Sequence, residues 1–127
     1  MNKGLQTEAV QWLQEKYKHM DFDTYQEAAN ETAIYRDKEG ATIFYPALGL
    51  AGEAGEIANK IKKIMRDGIT GNDWKESVAM EIGDVMWYCA VLATDLGYNL
   101  SYIAGQNQQK LAARKQKGTI SGSGDYR

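Results

Sequence analysis

The sequence contains few of the residues that build covalently cross-linked or thiolate-bound scaffolds. Its 127 residues include one cysteine, one proline and one histidine. The single cysteine, Cys89, excludes an internal disulfide and a cysteine-based zinc site. No charged leader with an apolar centre opens the chain, and no apolar run approaches the roughly 20 residues that a membrane span requires. From these absences we expect a cytoplasmic protein with no membrane partner.

An excess of charge of either sign is also missing. The formal net charge is -2 and the isoelectric point lies near 5.4, so bulk charge gives no reason to expect nucleic-acid binding. The composition, 43% hydrophobic and 25% charged, is that of an ordinary globular protein. We therefore expect one domain, spanning 1–127, with its own hydrophobic core.

Helical spacing of apolar residues is common in this sequence, and the alternation typical of strands is scarce. The spacing predicts five helices, at about 5–19, 21–35, 46–66, 74–96 and 100–117. Thr24 and Glu27 have the spacing of a capping box at the start of the second helix. The core stripe of the fourth helix is expected to consist of Val78, Ile82, Val85, Cys89, Leu92 and Leu96. The short connections predict an all-α, antiparallel bundle of four to five helices, followed by an irregular Gly/Ser-rich tail at 118–127.

Two pairs of acidic residues border the apolar seams of consecutive helices. Glu53 and Glu56 lie one turn apart on the third helix, and Glu81 and Asp84 repeat this spacing on the fourth. If the two helices are antiparallel neighbours, all four carboxylates converge. Oxygen ligands without histidine or cysteine are typical of a Mg²⁺ or Mn²⁺ site. A pair of glutamates on a solvated helix face is common, so carboxylates without a metal remain an alternative.

Three glycines accompany the first acidic pair. Gly49, Gly52 and Gly55 are spaced by three within a predicted helix, where each destabilises the helix by about 1 kcal/mol relative to alanine. A helix face without side chains allows close approach to the backbone. Either another helix or a ligand beside Glu53 and Glu56 could occupy that space.

The two acidic pairs and their surroundings resemble a known family. The segments "GEAGEIANKIKK" and "KESVAMEIGDVMWY" together resemble the MazG-like, all-α nucleoside triphosphate pyrophosphohydrolases, with their E-x-x-E, spacer and E-x-x-D signature. The segments "YQEAANETAIY", "YPALGLAGEAGE" and "GSGDYR" are also similar, most of all to the short phage-type members. The resemblance covers about 22–127 and leaves 1–20 as an additional N-terminal helix. Gly52 stands where many full-length MazG proteins have a glutamate.

The resemblance implies an enzyme that converts a (deoxy)nucleoside triphosphate to the monophosphate and pyrophosphate. Deoxynucleotides are favoured, with dGTP or dATP as candidate substrates, and Mg²⁺ is the expected cofactor, with Mn²⁺ as a substitute. The matching metal ligands are Glu53, Glu56, Glu81 and Asp84, and Glu53 or Glu56 is the expected catalytic base. The residues expected to bind substrate are Gln26, Asn30, Lys60, Lys63, Tyr88, Asn107, Lys110 and Arg114.

Other interpretations remain open at this point. Similar proteins form homodimers or homotetramers, and their substrates include dUTP, dCTP and phosphoribosyl-ATP. In a helical assembly module without catalysis, the same carboxylates would be solvated charges on the surface. A nucleotide sensor would bind the triphosphate and the metal without hydrolysis.

Overall fold

The computed structural model describes residues 3–125, with side chains from residue 8 onward. Within this range the chain forms α-helices and one short 3-10 helix, and it contains no strand. The order is α1 Lys3–Tyr17, α2 Phe22–Glu31, the 3-10 helix Ile34–Asp37, α3 Phe44–Asp67, α4 Asp73–Asp95 and α5 Leu100–Lys117. The prediction of an all-α fold is confirmed. Of the predicted N-terminal segment and tail, residues 1–2 and 126–127 lie outside the described range.

The boundaries of α2 differ from the prediction at both ends. The helix is capped by Asp21, whose carboxylate accepts a hydrogen bond of 2.7 Å from the backbone N–H of Thr24. The predicted capping box at Thr24 is therefore wrong, because Thr24 already lies in the first turn. At the other end the helix stops at Glu31, and the chain bends into the 3-10 helix that carries Tyr35.

The helices α3 and α4 form an antiparallel pair. Gly68 ends α3 in the left-handed conformation, with φ of 62°, and a short turn leads directly into α4. The contacts between the two helices run in opposite order along the chain: Gly49 with Tyr88, Glu53 with Asp84, and Lys60 with Ser77. This register brings Glu53 of the first acidic pair close to Glu81 and Asp84 of the second.

The buried core is small and lies where α2, the 3-10 helix and α4 meet. It consists of Ala29, Ala33, Tyr35, Ala90 and Val91. The predicted core stripe of α4 is only partly buried, since Ile82 and Leu96 are 49% and 51% exposed. Periodicity identified an apolar face of α4 correctly, but the part of the chain that the structure describes covers that face only in places.

Gln26 is a buried polar residue that joins three helices. Its side-chain N–H groups donate to Oγ1 of Thr94 at 2.9 Å and to the carbonyl of Tyr98 at 3.0 Å. Its carbonyl oxygen accepts from the backbone N–H of Leu100 at 2.8 Å. These bonds tie α2 to the end of α4 and to the start of α5.

We expect Gln26→Ala to lower the free energy of unfolding by about 2–3 kcal/mol, because it leaves several buried polar groups without partners. Urea denaturation measures this change. The matched control is Glu27→Ala at the neighbouring exposed position, with an expected change within about 0.5 kcal/mol. Equal effects of the two substitutions would contradict the joining role of Gln26.

Between the described residues, α1 makes only limited contact with the other helices, whereas α3 and α4 pack closely against each other. Its large apolar side chains Trp12, Leu13 and Tyr17 are exposed. In the part of the chain that the structure describes, no helix combines the length and apolar character that crossing a membrane demands.

Candidate active site

Three carboxylates meet where α3 and α4 face each other. Glu53, Glu81 and Asp84 each place one carboxylate oxygen within 4.8 Å of the others. Glu53 and Glu81 are half-buried, and Asp84 is exposed. A set of oxygen ligands this close together, open to solvent on one side, suits a hard divalent cation that retains some water.

The electrostatics of this acidic cluster, Glu53, Glu81 and Asp84, are unbalanced. Burial, a hydrogen bond with Glu81 and the nearby negative charges raise the pKa of Glu53. The pKa of Glu81 is lowered, chiefly because Lys60 donates a hydrogen bond to it, with 2.8 Å between Nζ and Oε1. Among the described residues, Lys60 is the only cation in ion-pair contact with the three carboxylates. A bound divalent cation would supply the missing positive charge.

Glu56 lies beside the acidic cluster without being part of it. Its side chain is exposed, and its charge contributes to the raised pKa of Glu53, after burial and the closer carboxylates. The structure thus brings together three of the four predicted ligands and leaves the fourth at the edge.

The three glycines of α3 have two different surroundings. A Cβ atom at Gly49 would overlap the ring of Tyr88, so this glycine is required by the packing of α3 against α4. A Cβ atom at Gly52 or Gly55 would meet no atom within 4 Å. Helix packing explains the first glycine, and an open surface beside Glu53 and Glu56 surrounds the other two.

The two predicted lysines of α3 have different environments. Lys60 points across to α4, where its ammonium group donates to Oγ of Ser77 at 2.8 Å as well as to Glu81. Lys63 is exposed and lies near Asp67, farther along α3. In the single chain, Lys60 therefore links α3 to α4.

Gln26 and Asn30 are not brought to the acidic cluster. They line a separate polar cavity of about 410 Å³ between α2 and the α4–α5 turn, together with Asp23 and Glu27. The amide of Gln26 is occupied inside the fold, and Oδ1 of Asn30 accepts a hydrogen bond of 3.1 Å from Arg36. Their sequence-based assignment to base or sugar recognition receives no support from this placement.

The predicted phosphate-binding residues of α5 also lie away from the acidic cluster. Asn107 and Lys110 line a cavity of about 500 Å³ with Tyr98 and Tyr102. Arg114 is buried, and its guanidinium donates to the backbone carbonyl of Asp125 in the tail at 3.0 Å. The charged groups that shift the pKa values of Glu53 and Glu81 all lie on α3 and α4.

An aromatic pocket of about 410 Å³ adjoins the acidic cluster. We use this name for the cavity lined by Tyr35, Tyr45, Trp87 and Tyr88, with Thr32, Ile34, Lys38 and Ala41 at its remaining sides. The rings of Tyr35 and Tyr45 are stacked with centroids 4.8 Å apart, and Trp87 meets Tyr88 edge-on at 5.1 Å.

Tyr88 connects the aromatic pocket to the acidic cluster. Burial and a hydrogen bond with Tyr45 raise its pKa, and the charges of Glu53 and Asp84 add to this shift. Tyr88 is among the residues that the sequence predicts to bind substrate, whereas Tyr45 and the rest of the pocket are not. The aromatic residues of "IYRD", "IFYP" and "WY" were visible in the sequence, but nothing local indicated that they share one cavity.

Comparison with known proteins agrees with this architecture. The MazG nucleotide pyrophosphohydrolase domain matches residues 46–119, a range that contains both acidic pairs. The Gene 37 protein of Mycobacterium phage L5 is 47% identical over 116 residues, which cover 85% of this chain and 100% of that protein. No solved structure matches the chain. The chain belongs to the MazG nucleotide pyrophosphohydrolase family.

Proposed function

We propose that this chain is a metal-dependent enzyme that hydrolyses a deoxynucleoside triphosphate to the monophosphate and pyrophosphate. The observation that carries the proposal is the acidic cluster, with oxygens of Glu53, Glu81 and Asp84 within 4.8 Å of one another. Membership of the MazG family supports the reaction class. We take dGTP and dATP as the first substrates to test.

The donor set fits Mg²⁺ or Mn²⁺, since it consists of carboxylate oxygens with solvent access. Glu53, Glu81 and Asp84 would hold the metal, which would neutralise phosphate charge and acidify the attacking water. Glu56, exposed beside the cluster, would accept the proton of that water. Glu53 is the alternative base, because its carboxylate lies within the acidic cluster itself. We expect attack at the α-phosphorus; attack at the β-phosphorus is the alternative and would give the same products.

We assign the nucleotide base to the aromatic pocket. This pocket shares Tyr88 with the surroundings of the acidic cluster, so a base there would leave its phosphates near the carboxylates. Stacking of a base on an aromatic ring contributes about 1–3 kcal/mol. The side chain of Lys38 is the charged group at the pocket that would distinguish one base from another. The hydroxyl of Thr32 is already engaged, since it donates to the carbonyl of Ala29 and accepts from Nε1 of Trp87.

We further propose that the enzyme works as a homodimer or homotetramer. The isolated chain of 14.2 kDa exposes 9794 Å², roughly 3,000 Å² more than the surface expected for a folded monomer of that mass. The excess includes large apolar side chains such as Ile82 and Met86 on α4 and Ile103 on α5. We infer that a second chain covers these faces, which lie on α4, the helix of Glu81 and Asp84, and on α5, the helix of Asn107 and Lys110.

Product analysis tests the proposed reaction. The protein is incubated with each common dNTP and NTP, in Mg²⁺, in Mn²⁺ and in EDTA, and the products are separated by chromatography. We expect the monophosphate from one or two substrates, and no product in EDTA. Nucleotide binding without product would instead identify a sensor. Absence of both binding and metal-dependent stabilisation would identify a structural module.

A further inference from the structure

Asp95, the last residue of α4, is a buried carboxylate outside the acidic cluster. Its side chain is 2% exposed and accepts hydrogen bonds from three partners. The hydroxyl of Tyr35 and Nε of Arg36 each donate at 2.7 Å, and the backbone N–H of Ile43 donates at 3.0 Å. These partners connect the end of α4 to the 3-10 helix and to the loop before α3.

The backbone at Ile43 is strained. Its φ of 71° and ψ of -53°, with a hydrogen bond of 2.9 Å from the N–H of Phe44 to the carbonyl of Thr42, define a γ-turn of the rare type. Ile43 is the only non-glycine residue with positive φ in the described range, and a β-branched side chain is especially unfavourable there. Such a conformation persists only where surrounding contacts enforce it. The hydrogen bond to Asp95 is the contact that fixes the N–H group of this residue.

The strained turn determines one wall of the aromatic pocket. Tyr45 follows Ile43 by two residues, and its ring stacks on Tyr35, whose hydroxyl is itself bonded to Asp95. The ring of Tyr45 also contacts that of Tyr88, with centroids 6.3 Å apart. Asp95 thus holds both members of the stack, one directly and one through the turn.

We propose that Asp95 is a positioning residue for substrate recognition, which fixes the aromatic pocket by holding Tyr35 and the strained turn at Ile43. The identity of the ligand, a nucleotide base, rests on the proposed function. The positioning itself rests on the hydrogen bonds and the backbone geometry. Asp95 does not contact the acidic cluster, so its effect should fall on substrate binding.

Asp95→Asn removes the charge and weakens the bonds that hold the turn. We expect KM for the preferred triphosphate to rise about tenfold, because a hydrogen bond to a charged acceptor is lost. The value of kcat should stay within about threefold of the wild type, since the acidic cluster is unchanged. The near-ultraviolet circular dichroism of the stacked tyrosines should also decrease.

A second substitution distinguishes positioning from a general structural role. Glycine adopts positive φ readily, so Ile43→Gly should keep the turn formed without a strong acceptor at Asp95. We expect the double variant D95N/I43G to recover most of the lost affinity and dichroism. The matched control D95N/I43V retains a β-branched residue and should recover neither.

Each outcome of this experiment decides the proposal. Recovery in D95N/I43G alone supports it, and an unchanged KM in D95N, or equal recovery with valine, overturns it. If D95N fails to fold, the two double variants decide the proposal. Folding of D95N/I43G and not of D95N/I43V supports it, and failure of both double variants to fold overturns it. If the wild type hydrolyses no nucleotide, the proposed function fails. The role of Asp95 is then decided by the near-ultraviolet circular dichroism, which should recover in D95N/I43G and not in D95N/I43V.

Discussion

Asp84→Asn is expected to lower kcat by more than about a hundredfold while the fold remains intact. Replacing groups that merely orient metal ligands already lowers activity about 10–100-fold, and Asp84 is a proposed ligand itself. The folded chain should tolerate the change, because Asp84 is exposed and lies among like charges. Steady-state kinetics in saturating Mg²⁺ measures the first effect, and thermal unfolding in EDTA measures the second.

The matched control for this prediction lies on the same helix. Glu76→Gln removes an exposed carboxylate in the first turn of α4, outside the acidic cluster, and should leave kcat within about twofold of the wild type. Mg²⁺ should raise the melting temperature of the wild type and of this control, and raise that of the Asp84 variant much less. Wild-type kinetics in the Asp84 variant would contradict the metal assignment.

Gly49→Ala is expected to have the largest effect on stability among the three glycine substitutions of α3. The new methyl group would overlap the ring of Tyr88, and overpacking of this kind lowers the free energy of unfolding by about 1–3 kcal/mol. The change should also disturb the aromatic pocket, because the ring of Tyr88 must shift and it contacts Tyr45 and Trp87.

The neighbouring glycines provide the controls. At Gly52 and Gly55 a methyl group meets no atom within 4 Å, so alanine should raise the free energy of unfolding by up to about 1 kcal/mol through its helix propensity. Urea denaturation of the three variants gives the comparison. If all three substitutions had the same effect, close packing at Gly49 would be excluded. Lower activity in the two stabilised variants would indicate that a ligand or a second chain uses the open face.

The parts of the fold that could be predicted from the sequence depend on local signals and short connections. Gly68 and Gly97 follow helical stretches of the sequence and predict where those helices end. The observed ends of α3 and α4 lie within two residues of the predicted ones. The short turn between those helices made them antiparallel neighbours, which was enough to place Glu53 opposite Asp84.

The remaining features depend on contacts between distant parts of the chain. Asp95 and Ile43 are 52 positions apart, and neither has a local pattern that indicates the other. Gln26 is polar, so periodicity gives no reason to bury it, although its hydrogen bonds across three helices stabilise it there. At α2, Asp21, Asp23 and Thr24 all had suitable side chains for a cap, and only the backbone conformation distinguishes them.

The central claim is that the acidic cluster supports metal-dependent release of pyrophosphate. The most direct test is to follow a mixture of the four dNTPs with the wild-type protein in Mg²⁺ by phosphorus-31 NMR. We predict that the signals of pyrophosphate and a nucleoside monophosphate grow in equal amounts and that EDTA stops their growth. Release of inorganic phosphate with a nucleoside diphosphate, or the same rate in EDTA, would contradict the account.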